Sequence, residues 1–161
     1  MFDWRWDFTF EILPRLLQAT RNTLAAAGIG YGIAVVLGLV FALAQRTPSR
    51  FVTLVVRECV EFIRSTPLVL QIFFVFFVGP QFGIRLSPWV AGMIAIGLHY
   101  SAYLSEVYRG GLEAVPKGQW EACTALNLST TKTYFRVIIP QALPPSLAGM
   151  GNYLIGIFKD T

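Results

Sequence analysis

The chain of 161 residues is strongly apolar: 55% of its residues are hydrophobic and only 14% are charged. Soluble domains carry about 25% charged residues, so this composition excludes an ordinary soluble fold and indicates a chain that lies in a lipid bilayer. The net charge of +4 could suit nucleic acid in a soluble protein. Here the basic residues flank apolar runs, as in the loops of membrane proteins, so no nucleic-acid partner is expected.

The first apolar run covers residues 24–44 and contains no charge. A helix of roughly 20 residues crosses the hydrocarbon core of about 30 Å, so this run predicts a membrane span. Gly28 and Gly32 form a small-xxx-small pair, which favours the close approach of a second helix. The alternative is that they only reflect the abundance of glycine in membrane helices.

A second apolar run covers residues 68–78, and an amphipathic segment over 50–64 comes before it. The spacing of four charged residues by seven, four and three places them on one helix face: Arg50, Arg57, Glu61 and Arg64. We expect this segment to be a helix that lengthens the second span. The third span is predicted over residues 89–105.

The fourth apolar run, residues 145–158, is shorter than the others. A helix of that length reaches only about 21 Å, which does not cross the hydrocarbon core. Either Lys159 and Asp160 lie at membrane depth or the span is incomplete. We therefore expect one transmembrane domain over residues 1–161, truncated at its C-terminus.

The distribution of lysine and arginine predicts the orientation of the spans. The first and third connections are rich in basic residues, whereas the second holds only Arg85. The positive-inside rule then places both rich connections in the cytoplasm and the N-terminus outside. Arg5, Arg15 and Arg21 in the N-terminal segment argue against this orientation.

The most specific motif lies in the long third connection, residues 106–143. It contains Glu121-Ala-Cys-Thr-Ala-Leu-Asn and, further on, Val137-Ile-Ile-Pro-Gln-Ala142. This order closely resembles the EAA loop of ABC importer permeases, in which Glu-Ala-x-x-x-Leu-Gly is followed by a stretch that ends in Leu-Pro. Glu61-Phe-Ile-Arg-Ser-Thr-Pro67 and Lys159-Asp-Thr161 resemble motifs of the polar amino acid branch of that family. The resemblance covers roughly residues 20–161.

The resemblance implies an all-α membrane protein, a multi-span helical bundle of the type I ABC importer permease kind. The family has five transmembrane helices, of which this chain supplies three spans and the start of a fourth. It also implies a path for a polar amino acid or similar small zwitterion in the bacterial cytoplasmic membrane. The implied partners are cytoplasmic ABC ATPase subunits, a second permease subunit of the same or a similar kind, and an extracytoplasmic solute-binding protein.

Two other functions remain open. The ending Asn152-Tyr-Leu-Ile-Gly-Ile-Phe-Lys-Asp-Thr161 resembles, more weakly, permeases for compatible solutes such as ectoine. From another class, the chain could be a membrane channel or scaffold that needs no ATPase. A channel would give ion currents without ATP, which separates these hypotheses.

Nothing in the sequence predicts an enzyme. A phosphate-binding Gly-x-x-x-x-Gly-Lys-Ser/Thr loop is missing from it, so ATP is expected on the partner ATPase and no cofactor on this chain. One histidine and two distant cysteines make neither a credible metal site nor a catalytic nucleophile.

Local chemistry predicts the shape of the EAA-like loop. Residues 119–126 can form a short helix, and Ser129 can cap a second helix that ends before Pro140. Asn127 stands where the family has glycine, and asparagine tolerates the left-handed conformation that such a turn requires. The resemblance implies that this knob docks on the ATPase; the alternative is an ordinary solvated loop. The implied coupling residues are Gly118, Gln119, Glu121, Ala122, Ala125, Leu126 and Asn127.

Polar residues at membrane depth are costly and often line a path. His99, Tyr103 and Glu106 share one helix face in the third span, and Asn152 and Lys159 share one in the fourth. The candidate path residues are His99, Tyr103, Glu106, Asn152, Lys159 and Asp160. Each has a structural alternative: an interhelical hydrogen bond, an interfacial position or a mutual ion pair. Glu61 and Arg64 either support the knob from the cytoplasmic face or form a surface ion pair.

Overall fold

The computed structural model describes residues 5–161, and the regular secondary structure over that range is entirely helical. This confirms the all-α prediction. The α-helices are α1 (Trp6–Ala44), α2 (Arg50–Ser65), α3 (Leu68–Phe73), α4 (Pro88–Glu113), α5 (Lys117–Ala125), α6 (Thr130–Lys132) and α7 (Ile139–Asp160). Two π-helical segments, Phe74–Val78 and Thr133–Ile138, and a 3₁₀ turn, Gly79–Phe82, continue the helices that they follow.

Helix α1 is longer than the span predicted from residue 24. It begins at Trp6 and has 39 residues, about 58 Å of helix. The added segment is helical in spite of Pro14 in its interior, and Thr20 Oγ1 donates to the Leu16 carbonyl at 2.9 Å. Among the described helices, α1 alone is long and apolar enough to cross a membrane unaided. The bent pair of α2 and Leu68–Phe82 is long and apolar enough only if the two are counted as one span.

The core lies between α1 and α4, which pack through small side chains. The buried residues of α1 recur every three or four positions: Ala27, Gly30, Ala34, Gly38 and Ala42. The packing predicted for Gly28 and Gly32 is wrong, because a Cβ added at either position would meet nothing within 4 Å. The two glycines lie outside the packed face of α1: Gly28 follows the buried Ala27, and Gly32 lies midway between the buried Gly30 and Ala34.

Helix α2 does not lengthen the second span, contrary to the prediction. The axes of Arg50–Ser65 and Leu68–Phe82 are bent by 106°. Thr66 is extended (φ −100°, ψ 138°) because Pro67 disfavours helical backbone in the residue before it. Gln71 Nε2 then donates to the Ile63 carbonyl at 2.8 Å and to Thr66 Oγ1 at 2.7 Å. These bonds fix the bend.

Helix α4 begins where predicted and ends later. The Ser87 hydroxyl accepts a hydrogen bond from the Val90 amide, and Pro88 occupies the first turn. The helix continues to Glu113, eight residues beyond the predicted end at 105, so the first part of the predicted loop 106–143 is helical. Ion pairs on one face stabilise this extension: Arg109 binds Glu106 at 2.6 Å and Glu113 at 2.7 Å.

The helix that contains the fourth apolar run is also longer than predicted. Helix continues without a break from Thr130 to Asp160, so the predicted end before Pro140 is wrong. The π-helical turn before Pro140 widens the helix where the ring would otherwise clash with a carbonyl, and the fixed φ of proline remains compatible with helix. Helix α7 has 22 residues, about 33 Å, rather than the 14 counted from the apolar run.

Candidate coupling face and translocation-path residues

Helix α5 is anchored to the membrane helices through its inner face. Cys123 is 3% exposed, and the Trp120 ring meets the Tyr134 ring edge-on at 5.4 Å between centroids. The Arg46 guanidinium, from the α1–α2 turn, lies 5.6 Å from the centroid of the Trp120 ring. Trp120 also packs against a buried cluster formed by Val115, Ile138 and Ala142. The helix is therefore held by both the α1–α2 turn and the base of α7.

The turn after α5 has the left-handed residue that the sequence predicts. Asn127 has φ 49°, and no other non-glycine residue in the range 5–161 has positive φ. The Leu128 amide donates to the Cys123 carbonyl and the Asn127 amide to the Thr124 carbonyl, each at 3.0 Å. This pair of bonds is a Schellman motif, which closes the C-terminus of a helix and turns the chain sharply.

The outer face of α5 and its turn is exposed. We name it the coupling face, and its members are the seven residues predicted from the loop: Gly118, Gln119, Glu121, Ala122, Ala125, Leu126 and Asn127. Leu126 is 71% exposed. A concavity of about 700 Å³ lies beside it, between α5 and the start of the next helix, lined in part by Glu121 and Tyr134. An exposed apolar edge next to an acidic side chain is typical of a surface that binds another protein.

Four aromatic rings cluster where the middle of α4 meets α7. His99 lies 5.0 Å from Tyr103, and Tyr153 of α7 lies 5.3 Å from Tyr103 and 6.2 Å from Tyr100, between ring centroids. The Tyr100 hydroxyl donates to Asp160 Oδ2 at 2.6 Å. His99 Nδ1 is buried and has no hydrogen-bond partner among the described residues. The structure thus brings together three of the predicted path residues: His99, Tyr103 and Asp160.

Sequence reasoning missed Tyr100 and Tyr153 as members of this cluster. Both are polar aromatic residues within predicted spans, which is a usable signal. Tyr153, however, shares a helix face with Asp160, seven residues further on, rather than with Asn152 and Lys159. Only the register between α4 and α7 brings it to Tyr103.

The other predicted path residues lie apart from this cluster. Glu106 faces Arg109 rather than His99, and Asn152 and Lys159 are exposed at the surface of the chain. Gly149 and Gly156 of α7 serve packing, since a Cβ at Gly149 would lie 2.9 Å from Val107 Cγ1 and a Cβ at Gly156 would lie 3.1 Å from the Tyr100 hydroxyl oxygen. The face predicted on the fourth span is therefore divided between a packed edge and an exposed edge.

Glu61 and Arg64 form an ion pair at 3.4 Å. The Arg64 guanidinium lies 5.4 Å from the centroid of the Tyr103 ring, and the Tyr103 hydroxyl donates to the Arg64 carbonyl at 3.1 Å. The two contacts between Arg64 and Tyr103 join α2 to the aromatic cluster on α4. The contact from the α1–α2 turn to α5 is made by Arg46 instead, a residue that the sequence reasoning did not single out.

Comparison with known proteins assigns the chain to a family. Residues 34–161 match the model of the family described as binding-protein-dependent transport system inner membrane component. The chain is 43% identical to the probable amino-acid ABC transporter permease protein y4tG of Sinorhizobium fredii, over 99% of this chain and 72% of that protein. It is 36% identical to the L-cystine transport system permease protein TcyB of Bacillus subtilis, over 97% and 67%.

A solved structure agrees with the fold. The crystal structure of an amino acid ABC transporter superimposes with a TM-score of 0.90 at 30% identity, over 99% of this chain and 74% of that one. This confirms the predicted type I importer permease fold. The chain therefore belongs to the binding-protein-dependent inner membrane components and is a permease subunit of an ABC importer.

Proposed function

We propose that the coupling face docks on a cytoplasmic ATPase subunit and transmits its movement to the membrane helices. The observation that supports this most is the two-sided character of α5. Its inner side, through Trp120 and Cys123, is fixed to the rest of the chain, whereas all seven residues of the coupling face are exposed. A push on an anchored helix displaces the helices that anchor it, whereas a push on a free loop is absorbed by the loop.

The route of this movement follows the anchoring contacts. Trp120 meets Tyr134 in the π-helical segment, which continues without a break into α7. Helix α7 packs along α4, where Gly156 allows the Tyr100 ring to approach. A shift at α5 therefore reaches the aromatic cluster at membrane depth through rigid helix rather than through flexible loop.

We propose that the cargo is a polar amino acid. Relatives that match nearly the whole chain are named for amino-acid or L-cystine transport. The charged end of α7 suits a zwitterion: Asp160, which accepts from the Tyr100 hydroxyl, can also accept hydrogen bonds from an ammonium group, and the exposed Lys159 can pair with a carboxylate. Zwitterionic compatible solutes such as ectoine could bind the same groups.

The assembly proposed around this chain contains a second permease, two ATPase subunits and a solute-binding protein on the outer side of the membrane. ATP is bound and hydrolysed on the ATPase subunits. The α1–α2 turn and the α4–α7 connection both lie at one end of the bundle, joined by the contact of Arg46 with Trp120. Their shared basic character supports our proposal that this end is in the cytoplasm and the start of α1 outside.

Reconstitution tests this function. The full permease chain, its ATPase and its binding protein are placed in liposomes, and uptake of labelled amino acids and of labelled ectoine is measured with and without ATP. We expect uptake of amino acids that requires ATP. Uptake of ectoine alone would change the substrate assignment. Ion current through planar bilayers containing the permease without ATP, together with absent uptake, would favour a channel and contradict the proposal.

A further inference from the structure

A second cavity, distinct from the aromatic cluster, opens where the α1–α2 turn, α2 and the last turns of α4 meet. Its volume is about 640 Å³. Four arginines from three different elements line it, together with three glutamates, and they are Arg46, Arg57, Arg64 and Arg109. So many guanidinium groups around one cavity raise the question of what balances their charge.

The glutamates of the cavity are already engaged by two of the arginines. The ion pairs are Arg64–Glu61 at 3.4 Å, Arg109–Glu106 at 2.6 Å and Arg109–Glu113 at 2.7 Å. Within residues 5–161, neither Arg46 nor Arg57 has a carboxylate within ion-pair distance. The Arg46 guanidinium lies over the face of the Trp120 ring. Two positive charges at the cavity therefore remain without an anionic partner.

Hydrogen-bond donors at the same cavity are also without acceptors. Gln45 Nε2 and Arg64 Nε are buried and have no partner in the described part of the chain. Buried polar atoms are nearly always paired, so two unpaired donors beside two unpaired guanidinium groups point to a ligand rich in acceptor oxygens. Guanidinium groups bind phosphate through paired N–H···O bonds, and the guanidinium groups of Arg46 and Arg57 line the cavity on exposed residues. We propose that this cavity binds a phosphate group.

The surroundings of the cavity bear on the source of the phosphate. Helix α2 has a charged face towards the cavity and exposes large apolar side chains elsewhere: Phe51 is 76% exposed and Phe62 is 69% exposed. An amphipathic helix of this kind lies in the membrane interface, where anionic lipids gather around basic pockets. The phosphate of an anionic phospholipid headgroup and free phosphate share the chemistry that the arginines recognise.

Binding to the purified permease tests the proposal. The ligands are phosphatidylglycerol, diacylglycerol with the same acyl chains as a control without phosphate, and inorganic phosphate. We expect phosphatidylglycerol to bind more tightly than diacylglycerol. If inorganic phosphate also binds, the phosphate group alone is sufficient. If inorganic phosphate does not bind, the site is assigned to the lipid. If neither phosphate compound binds better than diacylglycerol, the proposal is overturned.

A matched pair of arginine variants locates the site. Arg57→Gln removes a guanidinium group that lines the cavity. We expect about tenfold weaker binding of the phosphate ligand. Arg50→Gln removes the same charge from the same helix outside the cavity, and binding should not change. Equal effects of both variants, or no effect of either, would contradict the assignment.

Folding of the variants is checked separately. Elution on size exclusion and thermal unfolding without ligand show whether Arg57→Gln is folded. If it is not, Arg57→Lys keeps the charge but lacks the planar fork, and binding weaker than wild type is expected. Unchanged binding in Arg57→Lys would then overturn the proposal. The measurement requires no ATPase, so its failure leaves the coupling proposal untouched.

Discussion

At the scale of single residues, Gly38 decides how closely α1 and α4 approach. A Cβ added there would lie 2.9 Å from the Ser101 carbonyl oxygen, a backbone atom that cannot move aside. Gly32, in the same helix, has nothing within 4 Å of the corresponding position. The two glycines therefore form a natural comparison of a packed and an open site.

We expect Gly38→Ala to destabilise the purified permease by about 1–3 kcal/mol, because the added methyl group pushes the helices apart. Gly32→Ala should be neutral or slightly stabilising, since alanine favours helix over glycine by up to about 1 kcal/mol. Thermal unfolding in detergent measures both variants. A similar fall in Tm for both would show that the α1–α4 contact is not packed as described.

Asn127 is the second residue on which the local structure depends. Its φ of 49° is tolerated by asparagine and glycine but costs a β-branched residue about 1–2 kcal/mol. Asn127→Gly should preserve stability, and Asn127→Val should lower the Tm. Equal Tm values for the two variants would argue against the left-handed turn after α5.

At the scale of elements, the shape of the knob was predicted well where neighbouring residues alone determine it. The left-handed turn follows from Asn127 between two short helices, whereas the residues of the coupling face were expected only from the family resemblance. Helix ends were predicted less well. Charged residues and prolines suggested breaks at 105 and before Pro140, yet ion pairs and a π-helical turn allow both helices to continue.

The bend between α2 and α3 shows a different limit. The sequence contains Pro67, which predicts a non-helical residue before it, but not the angle of the bend. That angle depends on Gln71, whose side chain reaches back to Ile63 and Thr66 across the bend. The aromatic cluster could not be predicted for a similar reason. The contact of Tyr103 with Tyr153 depends on the register between two helices that are far apart in the sequence.

We expect Gln71→Leu to destabilise the permease by about 1–3 kcal/mol, since the open carbonyls at the end of α2 lose their donor. Gln81→Leu is the control, as Gln81 is an exposed glutamine in the 3₁₀ turn. Thermal unfolding of both variants measures the difference. A Tm for Gln71→Leu equal to that of the control would mean that the bend is held by other contacts.

At the scale of the whole molecule, composition predicts a membrane protein and the ordered motifs predict the family. Both were confirmed by the family model and by the structural similarity to an amino acid ABC transporter. The packing of α1 on α4 could not be predicted in the same way, because several small-xxx-small pairs compete within α1 and only contact with α4 selects among them.

We propose above that the ATPase docks on the coupling face and transmits its movement to the permease there. The measurement that tests it most directly is co-purification of the full permease chain with its ATPase, comparing Glu121→Arg with Glu58→Arg. Both glutamates are exposed and both variants reverse one charge, but only Glu121 belongs to the coupling face. Unchanged elution of each variant on size exclusion shows that it is folded.

We expect wild type and Glu58→Arg to retain the ATPase, whereas Glu121→Arg should retain at least about tenfold less, as expected when a charge in a protein interface is reversed. Equal retention by Glu121→Arg and Glu58→Arg would contradict the proposal, and the ATPase would then have to dock elsewhere on the permease.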